Sequence, residues 1–157
     1  MSRHLSLLAA CFRLVHAAVY GAGLLTLFMV LTLVGDAGGV AALGAGGAHA
    51  LVSLRLAAHG DGYSIGLVFF GVHCPVLGYL VARSGFLPRI LGALLLLAGL
   101  GYLTDSFART LLTDYAAYEA VLAAVVFVPA LVGELSLGVW LVSRGVGVPR
   151  DSVAGSV

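Results

Sequence analysis

Long apolar runs bounded by charged residues set the pattern of this chain. Leu14 to Val34 and Gly62 to Ala82 each hold 21 residues without a formal charge, and Ala120 to Ser143 holds 24 with one, Glu134. A helix rises 1.5 Å per residue, so about 20 residues cross roughly 30 Å of hydrocarbon, and each of these runs predicts a membrane span. A fourth run, Ile90 to Thr104, has 15 residues between Arg89 and Asp105. It is predicted to extend into its flanks, with the Arg89 side chain snorkelling to one surface and Asp105 near the other. The pattern predicts an all-α transmembrane four-helix bundle in a single membrane domain, 1–157, with spans at about 12–34, 62–83, 88–107 and 118–143. Ser84, Gly85 and Pro88 punctuate one short connection, and Thr113, Asp114 and Tyr115 another. The first connection, 35–61, opens GDAGGVAALGAGGA and is predicted to be a Gly/Ala-rich outer loop, with at most a short interfacial helix near His49 to Ala58.

Composition agrees with a membrane setting. The chain is 61% hydrophobic and 10% charged with a mean hydropathy of +1.11, too little polar surface to cover a water-soluble globule of 157 residues. A formal charge of +1 argues against nucleic acid as a partner. The first run is longer than the usual signal-peptide core of roughly 7 to 15 residues, so it reads as a retained helix. Cys11 and Cys74 lie in or beside apolar segments and read as packing residues. Arg3, Arg13, Arg83, Arg89, Arg144 and Arg150 flank one side of the spans, against Arg55 and Arg109 on the other. The positive-inside rule then predicts a cell inner membrane protein with both termini cytoplasmic.

The few polar residues inside the spans are the candidate chemistry. Glu134 stands ten residues from Arg144, roughly 15 Å along the helix. A charge there costs at least roughly 2.5 to 3.5 kcal/mol, so such an acid pairs, faces a protein interior or stays protonated. His73 is ten residues from Arg83, at the same expected depth, and the two together would suit intramembrane acid/base work. An interhelical clamp for Glu134 and a satisfied structural role for His73 are the expected readings. Pro75 and Pro129 each leave a carbonyl one turn earlier, at Gly71 and Val125, without its helical donor. Arg13, His16 and Tyr20 form a stripe on the first span near the cytoplasmic boundary, and with Tyr79 make a candidate intramembrane polar network. Asp105 is a candidate membrane-edge acid. No ligand cluster for zinc, paired-histidine haem motif, P-loop or nucleophile elbow is present, so neither metal nor cofactor is expected.

From about Phe12 onward, three stretches carry a resemblance: FFG at 69–71, LGYLVARSGFLPRILGALLLLAGLGYLTDSF at 77–107, and GELSLGVWLVSRGV at 133–146. They resemble the bacterial multi-pass membrane family known as domain of unknown function 4386. The resemblance implies a six-span architecture of which this chain matches roughly the last four spans, and it implies no activity. The expected role is a non-enzymatic membrane component that packs with itself or with a membrane-protein partner in the lipid bilayer. The alternative is an intramembrane enzyme or carrier for a lipid, isoprenoid or proton, using Glu134 and His73.

Overall fold

A computed structural model describes residues 3–85 and 87–144, leaving Arg150 outside the described residues. Four helices follow one another: α1 (Arg3–Gly35), α2 (Ala37–Arg83), α3 (Arg89–Leu111) and α4 (Tyr115–Arg144). All four are long and apolar enough to cross a membrane. The expected outer loop 35–61 is corrected. Its only break in helical conformation is at the turn around Asp36 and at Gly44, whose φ of 68° favours a residue without a Cβ. Asp36 caps α2 by accepting from the Gly38 N–H at 3.0 Å. Glycine and alanine are poor material for an isolated packed element; within 37–61 Ala48 is buried and His59 bonds to Gly23 of α1, while a Cβ at Gly44, Gly46 or Gly60 would meet nothing within 4 Å.

At the other end of α2, Ser84 accepts from the Leu87 N–H at 3.3 Å and donates to the Val81 carbonyl at 2.7 Å. Gly85 turns the chain with a φ of 76°, and Pro88 leads into α3.

Three histidines fix the register of α1 on α2. His73 donates from Nδ1 to the Ala9 carbonyl at 2.8 Å, His16 to the Gly66 carbonyl at 2.9 Å, and His59 to the Gly23 carbonyl at 3.0 Å. A carbonyl only accepts, so each Nδ1 carries its proton. The rungs repeat every seven residues on both helices, two turns apart, as an antiparallel pair at a shallow crossing angle requires. Each receiving residue is Ala or Gly, small enough to leave its carbonyl's second lone pair accessible.

The α2–α3 seam has the same period. A Cβ added at Gly78 would stand 2.5 Å from the Gly92 carbonyl oxygen, and one at Gly92 would stand 2.5 Å from that of Gly78. Seven residues along, a Cβ at Gly99 would come within 2.7 Å of the Gly71 oxygen, the carbonyl that Pro75 deprives of a helical donor. Beyond them lie two buried serines, Ser64 and Ser106. Ser64 bonds back to Gly60, whereas the Ser106 hydroxyl is the buried side-chain oxygen without a partner among the described residues. One apolar cluster, Val81, Leu87, Leu91 and Leu95, joins α2 and α3 near the Ser84 turn, with Leu137 and Trp140 of α4 packed on it.

Each helix packs only on its neighbour in the chain, α1 on α2, α2 on α3, and α3 on α4. The bundle is therefore an open row in which α1 and α4 face each other across a cleft floored by α2 and α3.

Candidate functional site

Arg13 faces the interior stretch of α2, not its end. The histidine rungs set α1 so that Arg13 stands level with Phe69 and Phe70, in the middle of the Gly62–Ala82 run, and not at the end of a span. Phe12 and Phe69 rings meet at 6.5 Å, and the Arg13 guanidinium stacks 4.7 Å from the centroid of Phe70. The physical reason is offset. A charge-free run marks where a helix is apolar, but the histidine rungs, not that run, decide which part of α1 faces which part of α2.

Around Arg13 the cleft divides into connected cavities. The central one, about 250 Å³, is walled by Arg13, Phe70, His73, Cys74 and Glu134 among others. A second of about 250 Å³ adjoins it, where Arg13, His16, Tyr20, Tyr63, Tyr102 and Glu134 converge. Toward the Ser84 turn a larger cavity of about 430 Å³ shares Arg13, His73, Leu77 and Leu137 with the central one and is otherwise mostly apolar.

Glu134 accepts a hydrogen bond from the Tyr102 hydroxyl at 2.8 Å. Tyr102 stacks in turn near Phe70, 5.2 Å between centroids, and Phe70 is flanked by His16 at 4.9 Å and His73 at 5.7 Å. His73 and Glu134 thus line one cavity, each with its own partner on a different helix pair, and no hydrogen bond joins them. His16 and Tyr20 stack at 6.0 Å, and Tyr20 meets Tyr63 at 5.9 Å. Tyr79 lies elsewhere, exposed, with Arg83 over its ring at 5.4 Å. Sequence reasoning missed Tyr102, Tyr63 and Phe70. Tyr102 stands three residues before Asp105, where an interfacial phenol is ordinary, so its position gave no signal of the bond to Glu134.

The far end of the row carries a separate polar cluster that ties α3 to α4. Tyr115 donates to Asp105 at 2.7 Å, and Arg109 pairs with Glu119 at 3.2 Å while stacking 4.8 Å over the Tyr115 ring. The Arg109–Glu119 pair is exposed on both sides and contributes at most about 1 kcal/mol. Asp105 is accordingly an anchored acid at the α3–α4 connection. No group of three or more His, Cys, Asp or Glu able to hold a metal occurs among the described residues.

Four helices, each long and apolar enough to cross a membrane, stand around a polar cleft, and they suggest a helical membrane protein. The chain belongs to the DUF4386 family, a domain of unknown function, which matches residues 1–145. A curated relative, an uncharacterized protein of Archaeoglobus fulgidus, is 29% identical over 148 residues, covering 92% of this chain and 68% of the relative. No solved structure matches.

Proposed function

We propose that this chain is a non-enzymatic, multi-pass component of the cell inner membrane, with both termini cytoplasmic, that packs through its outer helices with a further copy or another membrane protein. The observation that carries the reading is the open row: α1 and α4 each have a single helical neighbour. α1 also presents a small residue to empty space. A Cβ at Gly21 would meet nothing within 4 Å, unlike the glycines of the α2–α3 seam. Such positions let another helix approach closely, which is how helices associate where lipid removes the hydrophobic drive. The separate structural partners of His73 and Glu134 give the polar groups an architectural role without calling on catalysis.

Native mass measurement of the protein in mild detergent tests the assembly. We expect a dimer or larger species, or a co-purifying membrane protein, and we expect Gly21→Leu to release monomer. A strictly monomeric wild type with nothing bound overturns the reading. Reporter fusions at the two ends test the orientation, for which the Arg distribution is the support. A reporter at either terminus is expected to read cytoplasmic, and a periplasmic reading at either end refutes that arrangement.

A further inference from the structure

We propose that the 430 Å³ cavity near the Ser84 turn binds a long-chain carboxylate, its acid group on Arg13 and its chain along the apolar walls. Ala10, Leu77, Leu80, Val81 and Leu137 form most of those walls, and a cavity of this volume falls in the range of small-molecule sites. Arg13 brings the only formal charge to the lining; the other polar side chains there are Ser6, His73 and Ser84. The Arg13 guanidinium carbon lies over the Phe70 ring, 4.7 Å from its centroid, and a guanidinium carries five N–H donors with which to meet a carboxylate. No carboxylate of the described residues comes within 4 Å of it. Glu134 shares two neighbouring cavities with Arg13 but forms no ion pair with it, and an anion brought by a ligand offsets the cost of holding the cation among apolar helices. Glu134 lines the neighbouring cavities and not this one, so it does not oppose an anion on the side toward Ser84.

One cation selects one negative charge. A phosphate monoester brings about −1.5 to −2, more than this lining offsets. A single chain also suits one cavity of this size, where the two chains of a phospholipid do not. His73 adds orientation: its Nδ1–H is committed to the Ala9 carbonyl, which holds the ring in the wall beside Arg13.

The chain contains its own reporter. Trp140 is the sole tryptophan, and it packs on the cluster whose Val81 and Leu87 also line this cavity. Titration of the detergent-solubilised full chain with dibromostearate, whose bromines quench nearby indole, is expected to give saturable quenching. Dibromostearate methyl ester, equally apolar but neutral, is expected to require at least about tenfold higher concentration, corresponding to loss of one charge-assisted hydrogen bond. Arg13→Gln is expected to remove the difference between acid and ester, and Arg13→Lys to retain part of it. Ala10→Phe keeps the cation and fills the cavity, so it is expected to weaken acid and ester alike. Equal, non-saturating quenching by acid and ester in the wild type overturns the proposal, as does acid selectivity that survives Arg13→Gln. The site lies within one chain, so these outcomes are independent of whether the protein assembles with a partner.

Discussion

At the scale of single residues, the polar groups of this protein are held one by one. Glu134 is bound to Tyr102, and each of His16, His59 and His73 to a carbonyl across the α1–α2 seam. Removing the Tyr102 hydroxyl leaves a half-buried carboxyl short of its donor. Tyr102→Phe is therefore expected to destabilise the protein by about 1 to 3 kcal/mol, visible as a lower midpoint in thermal unfolding in detergent. Glu134→Gln keeps an acceptor facing the phenol and is expected to cost less; an unchanged midpoint for Tyr102→Phe would show the bond to be idle. Glu134's need of a partner was legible in the sequence, because a lone acid in an apolar run has few ways to persist. The partner was not legible, since the pairing of Tyr102 with Glu134 depends on how α3 and α4 slide past one another, which no single-helix pattern records.

At the scale of elements, the two seams of α2 use different means at the same seven-residue period. Histidine rungs space α1 from α2, whereas glycines bring α3 into backbone contact with α2. Gly78→Ala places a methyl 2.5 Å from the Gly92 oxygen, a backbone atom that can yield only if the helices part. A loss of about 1 to 3 kcal/mol is expected from that overpacking, read in the same unfolding assay. Gly138→Ala, where the added methyl meets nothing within 4 Å, serves as the matched substitution and is expected to leave stability near the wild type. The four helices and their Ser84–Pro88 and Thr113–Tyr115 connections could be read from apolar run length and turn residues. The helical course of 37–61 could not. Its glycines argue against helix when considered alone, and the His59–Gly23 bond to α1 pairs residues far apart in the chain, which a local pattern does not record.

At the scale of the whole molecule, the row of four is open and its two hairpins are out of step. The helical class and the later-span likeness were present in the sequence, but depth was not. Assigning every apolar run to one common layer placed Arg13 at a boundary, and the histidine register moves it to the centre of the cleft. The same register leaves Leu24 to Gly35 of α1 running twelve residues past the Gly23–His59 rung. That is roughly 18 Å of helix, with Leu24, Leu25, Phe28, Met29, Leu31 and Val34 exposed along it. The full α1, 33 residues, is about 50 Å long against a hydrocarbon layer of roughly 30 Å. α2, with 47 residues, and α4, with 30, exceed that thickness too, so in a bilayer helix length and hydrocarbon thickness would be mismatched at more than one helix. Tilting shortens the projection of α1 but drags Arg13 with it, and local thickening of the lipid around α1 is the other accommodation. In a bilayer, tilt of α1 would couple membrane thickness to the position of the cleft's cation.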